Sequence, residues 1–311
     1  MTKEAEGGGA PLGRLARGLA NEPRFLMLLP GLFWAGNAIV ARSVAGEIPP
    51  VALAFWRWAV GAALILPFAW PHLKRDCPIM LGRWPLMLAL SALGIAVFNT
   101  CLYIAAHTTT AVNIVMLQSS MPVFIVAASF MLFRETVTLR QGVGFAMSLL
   151  GALTLISHGD PGVFARLDFK PGDLWMLVAV VSYALYTAML RLRPDVHGLS
   201  FIFATFLIGA ILLIPIYAWE TWSGHPLPLT AKSMLAIGYV AIFASILAYI
   251  SFNRVVELVG ANTAGLVAHL VPVFGTILAV LLLDETLHTY NGVGIALIGL
   301  GVWLATLRRA A

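Results

Sequence analysis

The chain has 311 residues, of which 60% are hydrophobic and only 11% charged, with a formal net charge of +5 and a mean hydropathy of +0.91. Soluble domains carry about a quarter charged residues, so the polar surface is too small to coat a globule in water. The basic excess then bears on membrane sidedness rather than on nucleic acid. Two cysteines, Cys77 and Cys101, give neither a disulfide framework nor a metal-ligand spacing.

In chain order, residues 1–23 hold Gly7-Gly8-Gly9 among mixed charges and are expected to form a cytoplasmic tail. No A-x-A-like site follows the first apolar run, which is therefore expected to be a spanning helix rather than a signal peptide. About 20 apolar residues cross the hydrocarbon core. Such runs fall at residues 24–44, 51–70, 84–105, 111–132, 139–156, 173–190, 199–218, 232–255, 261–283 and 289–307. The predicted fold is thus an all-α integral membrane protein with ten transmembrane helices, since a helix bundle satisfies its backbone polar groups internally. Lys74, Arg75, Arg83, Arg134, Arg140, Arg191, Arg193 and Arg254 join the terminal basic residues on one side; Arg42, Arg166, Lys170 and Lys232 fall on the other. Positive-inside bias then predicts a multi-pass protein of the plasma (inner) membrane with both termini cytoplasmic.

The chain repeats itself at an offset of 150 residues. Pro122-Val123-Phe124 recurs as Pro272-Val273-Phe274, Glu135-Thr136 as Glu285-Thr286, Gly142-Val143-Gly144 as Gly292-Val293-Gly294, and Gly151 as Gly301. With small gaps, Phe55, Gly61 and Pro67 answer to Phe203, Gly209 and Pro215. The expected organisation is a first five-helix repeat (24–156), an external linker (157–172), a second five-helix repeat (173–307) and a cytoplasmic C-terminus (308–311). Five is odd, so the second repeat enters from the opposite side, and the two are inverted repeats as in many secondary transporters.

The sequence resembles the ten-helix, EamA-type branch of the drug/metabolite transporter superfamily. The resemblance rests on Asn37 after Phe33-Trp34-Ala35-Gly36, on Phe55-Trp56-Arg57-Trp58, on Pro122, and on Glu135-x5-Gln141-Gly142-x-Gly144-x6-Gly151 with its second copy Glu285-x5-Asn291-Gly292-x-Gly294-x6-Gly301. It covers about residues 24 to 307. Within that branch it is nearest to YddG-like exporters of aromatic and other neutral amino acids. The resemblance implies alternating access through a central cavity, amino acids as substrate, membrane lipid as surroundings and no cofactor.

Polar side chains are costly against lipid and turn inward. They gather on the first, third, fourth, sixth, eighth and ninth helices, which are expected to line the cavity. The candidate substrate-binding residues are Trp34, Asn37, Asn99, Tyr103, Gln118, Ser119, Tyr183, Tyr186, Tyr249, Asn253 and His269. Each ring taken alone is more often packing than contact, and a buried, satisfied histidine is the plainer reading of His269. Pro122 and Pro272 are candidate hinges, or kinks that merely serve packing. Arg57 lies about two turns inside the second helix. It is either a partner for a substrate carboxylate or a structural arginine, and the resemblance, which places arginine here in members with different substrates, favours the second. Gly142-x3-Ala146 and Gly292-x3-Ala296 are expected as close-packing faces, against this chain or another copy. Thr138-x2-Gln141 has the form of a capping box.

No catalytic residue is assigned, because no nucleophile–base pair or metal cluster has recognisable spacing. A channel would want charged rings or a filter-like loop, and a phosphate-ester carrier several buried cations. No acid lies mid-span: Glu47, Glu135, Glu220, Glu257, Asp284 and Glu285 sit at ends or in loops. The expectation is a facilitative exporter of neutral amino acids, with a broad drug or metabolite efflux carrier as the alternative.

Overall fold

The computed structural model describes residues 22–166, 168–283 and 286–307. The expected tail at 1–21, the acids Asp284 and Glu285 and the terminal Arg308 and Arg309 lie outside the described residues. Among those described, the chain is helical throughout, with no strand. The helices are α1 (Pro23–Ser43), α2 (Pro50–Gly82), α3 (Trp84–Thr108), α4 (Val112–Phe133), α5 (Leu139–Ile156), α6 (Pro171–Leu192), α7 (Gly198–Trp222), α8 (Ala231–Ala264), α9 (Val267–Leu283) and α10 (Thr289–Thr306). All ten are apolar and long enough to cross or nearly cross a bilayer, which makes the chain a multi-pass membrane protein. The inter-helix turns holding Arg83, Arg134 and Arg193 share one face with the start of α1. That face is called basic below, and the opposite one the far face.

Local chemistry sets several helix starts. Pro23, Pro50 and Pro171 occupy first-turn positions, where a missing N–H leaves no bond unmade. Thr138 opens α5 with the expected capping box, its N–H donating to Gln141 Oε1 at 2.9 Å, and His288 N–H donates likewise to Asn291 Oδ1 at 2.8 Å before α10. Gly260, at φ +80°, separates the body of α8 from the residues leading into α9. The eighth run thus ends later than residue 255, and a left-handed glycine marks the break.

The helices pair across the two halves of the chain: α5 with α10, α2 with α7, α1 with α8 and α9, and α6 with α3 and α4. The α5–α10 seam is the tightest. A Cβ on Gly144 would come within 2.6 Å of the Gly301 carbonyl, and one on Gly151 within 2.6 Å of the Gly294 carbonyl. The close-packing stripe is therefore Gly144 and Gly151 against Gly301 and Gly294, within this chain. Gly142 and Gly292 meet nothing within 4 Å, and Ala146 and Ala296 are exposed. Within this chain the small-x3-small faces expected from the sequence are therefore not the packed ones, because the stripe runs at seven-residue spacing, about two turns. Outward, Phe68, Met131, Leu150 and Ile211 are bare to the lipid side, while Trp70, Trp84, Trp219 and Trp222 stand exposed near helix ends, where indole suits the headgroup level.

Candidate functional site

Two features put polar groups at the centre of the bundle. The first is a pair of π-turns, Ala92–Val97 in α3 and Ile242–Leu247 in α8. A π-turn widens the helix and leaves carbonyls without their usual partner. Here the carbonyls of Gly94 and Ala244, themselves 150 residues apart, turn to side chains. Tyr249 Oη donates to Gly94 O at 2.7 Å. Arg57 Nη2 and Trp34 Nε1 donate to Ala244 O at 2.7 and 3.2 Å. Neither π-turn is legible in the sequence, since nothing in Ala-Leu-Gly-Ile-Ala-Val or Ile-Phe-Ala-Ser-Ile-Leu departs from an ordinary apolar helix.

The second feature is Arg57 itself, 1% exposed. Its Nε donates to Ser245 Oγ at 2.7 Å, and its Nη1 to Tyr103 Oη at 2.8 Å and Asn37 Oδ1 at 3.1 Å. Tyr103 Oη in turn donates to Asn37 Oδ1 at 3.0 Å, and the guanidinium lies 4.6 Å from the Trp58 ring centroid. The network joins α1, α2, α3 and α8.

Beside it is a cavity of about 60 Å³ whose walls include Trp34, Asn37, Arg57, Asn99, Gln118 and Tyr249, with Arg42, Ala106 and Ile114 toward the far face. A second cavity, of about 720 Å³, opens at the basic face between α4, α6, the turn after α6 and α8. Its walls include Glu135, Arg191, Arg193, Asn253 and Glu257. Ion pairs rim it: Arg191 with Glu135 at 3.2 Å, Arg254 with Glu257 at 2.8 Å, and Arg193 with Glu257. This cavity and two further openings on the same face, of about 430 and 310 Å³, fall in the usual ligand range of roughly 300–1,000 Å³; the central cavity falls below it.

Aromatic rings fill the space between the two. Trp34 meets Tyr183 edge-on at 5.7 Å and Phe252 at 5.3 Å, Tyr183 meets Tyr186 at 5.3 Å, and Tyr249 meets Trp58 at 5.4 Å. Tyr186 Oη donates to Asn253 Oδ1 at 3.2 Å, so the stack runs from the wall of one cavity to the wall of the other. Asn99 and Tyr183 both neighbour the Tyr249 hydroxyl, while Thr187 Oγ1 and Asn253 Nδ2 are buried along the stack without a hydrogen-bond partner.

Of the sequence candidates, Trp34, Asn37, Asn99, Gln118 and Tyr249 line the central cavity, and Tyr103 sits behind it on Arg57. Asn253 lines the basic-face cavity, while Tyr183 and Tyr186 belong to the ring stack. Ser119 and His269 stand off both cavities. His269 Nε2 faces Ser119 O at 2.9 Å and its Nδ1 faces Ser148 Oγ at 2.8 Å, an arrangement that a neutral imidazole satisfies fully and that ties α9 to α4 and α5. Pro122 stands in the first turn of the helical segment Met121–Phe133, after a break at Ser120. Pro272 stands inside α9. Helix α2 enters the site through Arg57, whereas α5 and α10 contribute no wall to either cavity. Phe98 and Phe252 were not singled out from the sequence; their only signal was proximity to Asn99 and Asn253. Among the described residues no group of three or more potential metal ligands occurs.

The EamA-like transporter family model matches residues 24–157 and 170–307. The chain belongs to that family. An uncharacterised transporter of Archaeoglobus fulgidus is 26% identical over 293 residues, covering 93% of this chain and 99% of the relative. The uncharacterised inner membrane transporter YedA of Escherichia coli is 26% identical over 298 residues, with 91% and 93% covered. A solved crystal structure superposes with a TM-score of 0.74 at 20% identity over 93% of this chain and 96% of that one, which is likeness of fold. Membership of the EamA-like transporter family gives the chain the general role of a transporter.

Proposed function

We propose that this EamA-like protein is a secondary transporter that exports neutral amino acids, aromatic ones included, by alternating access between two inverted five-helix repeats. The observation that carries the reading is the lining of the central cavity, closed down to about 60 Å³ in this state and opening to solute in another: aromatic rings, amide groups and one buried arginine, at the point where five helices meet. Rings accept an apolar side chain, and the amides and guanidinium suit the polar end of an amphipathic solute. The crossed pairing of α1 with α8 and α9, and of α6 with α3 and α4, supports the inverted-repeat reading, because each pairing is the other's counterpart under exchange of halves. With the basic face cytoplasmic under the positive-inside rule, the larger cavity opens toward the side from which an exporter loads.

The cycle we favour is uniport. The buried acids Asp76, Asp173 and Glu220 bind helix ends rather than the cavity, and His269 is fully engaged in packing. Purified protein in liposomes preloaded with leucine or phenylalanine tests both points. Counterflow of labelled amino acid without any ion gradient is expected, and uphill accumulation after an imposed pH step would refute uniport. Single cysteines, placed on a background without Cys77 and Cys101, test the path. Asn37→Cys and Gln118→Cys should react with a water-soluble thiol reagent and be protected by substrate, whereas Gly142→Cys should show no protection.

A further inference from the structure

Arg57 satisfies its hydrogen bonds but not its charge. Its four acceptors, Ser245 Oγ, Tyr103 Oη, Asn37 Oδ1 and Ala244 O, are all neutral. Three buried acids are found among the described residues, and each is engaged elsewhere. Asp76 accepts from His197 N–H and pairs with Arg75. Asp173 accepts from Thr109 Oγ1, Asn113 Nδ2 and Lys170 N–H. Glu220 accepts from the N–H groups of Val51 and Ala52. A cation at this depth is expensive unless an anion joins it.

The cavity reinforces the sign. Its walls hold two arginines, Arg57 and Arg42, and no acid. Arg42, exposed at the end of α1, donates to Ala106 O at 3.4 Å and adds positive charge at the far-face mouth. Asn99, 1% exposed, lines the same space beside the Tyr249 hydroxyl, and its Nδ2, which carries two N–H groups, keeps a donor for an anionic oxygen. At the position aligned with Arg57 in the second half stands Thr205, whose hydroxyl bonds its own helix. The positive charge is therefore one-sided, a property of the first half alone.

We infer that the central cavity is an anion-compensated site: the solute it accepts carries a carboxylate that balances Arg57, with Asn99 as hydrogen-bond donor, and organic cations lacking that group are excluded. The inference rests on the transporter reading above and sharpens its substrate class. The bound carboxylate need not displace any of the four acceptors. It works through the field of the fixed guanidinium, which is strong where water is scarce. That distinguishes selection by charge from the purely structural role of the arginine, which the hydrogen bonds alone would support.

The experiment compares phenylalanine, N-acetylphenylalanine and phenylalaninamide on the same purified protein, by transport in liposomes and by thermal stabilisation in detergent. The two carboxylates should compete and stabilise, and the cationic amide should be at least about tenfold weaker. Arg57→Gln should erase that discrimination and Arg57→Lys should keep it, each checked for monodisperse folded protein. The wild-type series decides the question even if both variants fail to fold. Equal transport of amide and carboxylate overturns the inference and leaves the transporter reading standing. No transport of any compound, with carboxylates still stabilising the protein above the amide, supports the inference and overturns the amino-acid reading. No preferential stabilisation by either carboxylate overturns the inference.

Discussion

The seam between α5 and α10 and the pair formed by α4 and α9 descend from the same sequence repeat, yet one pair is alike in its two members and the other is not. Along the seam, Gly144 meets Gly301 just as Gly151 meets Gly294, and each glycine exchanges with its counterpart without changing the contact. In α4 and α9 the matched Pro-Val-Phe triplets sit in different backbones. The chain breaks at Ser120, immediately before Pro122, but at Gly265 and Leu266, well before Pro272. Where two copies of one motif fold alike, the fold leaves no alternative; where they differ, both shapes are open to the motif. On the inverted-repeat reading, α4 and α9 would exchange shapes during transport while the seam holds still.

The largest effect should come from spoiling the seam. Gly151→Leu or Gly294→Leu inserts a side chain where even a Cβ meets backbone, an overpacking of about 1–3 kcal/mol or more. Loss of monodisperse protein on size-exclusion chromatography is expected. Leucine at Gly142 or Gly292, which face open space, should be tolerated. If all four variants behaved alike, the seam would not be the fixed part.

Next in size are the acids that fasten α2 to α7 at both membrane faces. Glu220 accepts from the first N–H groups of α2 at 3.1 and 2.7 Å, and Asp76 accepts from His197 N–H ahead of α7 at 3.0 Å. Each helix thus caps the other's N-terminus with a carboxylate near its own C-terminal end. Glu220→Ala and Asp76→Ala should each lower stability by about 1–2 kcal/mol, read as a fall in Tm, with transport by the folded fraction unchanged. A transport defect without a Tm change would mean that this pair moves too.

The prolines sharpen the contrast within α4 and α9. Pro122 occupies a first turn, where its missing N–H matters little, and Pro272 an interior turn, where it removes a helical bond. Pro272→Ala should therefore slow transport several-fold, by stiffening α9, while Pro122→Ala changes it less. Equal effects would remove the proposed difference between the two helices.

The smallest expected effect is on pH dependence at the basic face. Burial holds the His197 imidazole below its ordinary value of 6.5; the stacked His72 ring adds to this, and nearby Asp76 opposes it. The folded protein then binds fewer protons than the unfolded chain as pH falls through that value, so stability drops on acidification. The Tm in detergent should be lower near about pH 5.5 than near about pH 7.5, and His197→Asn, which keeps a capping side chain, should narrow the gap.

Much of this architecture was legible because hydrophobic runs and positive charge report on lipid directly. Ten runs gave ten helices, and Thr138 with Gln141 gave a true capping box. Which polar residues meet was far less legible. Asn37, Tyr103 and Arg57 stand on three different helices, and the π-turn in α8 adds Ala244 O and Ser245 Oγ to the partners of the arginine. His269 was a cavity candidate because its helix is polar, with a buried, satisfied histidine as the plainer reading, and its two partners, Ser119 O and Ser148 Oγ, agree with the plainer one. The glycine stripe was misassigned because several spacings of small residues coexist in α5, and only the crossing with α10 chooses among them.

The π-turns have a further consequence for how this protein tolerates length changes. Each holds one residue more than an α-helix spanning the same height would need. Deleting one residue within Ala92–Val97 would let α3 heal into a regular helix with the segments on either side still in register. Tyr103 would keep its place on Arg57, while the Gly94 carbonyl would return to an ordinary helical bond and leave Tyr249 Oη without its acceptor. A one-residue deletion that would turn everything beyond it by about 100° in a regular helix is thus absorbed here and felt chiefly at the hydroxyl that the π-turn serves.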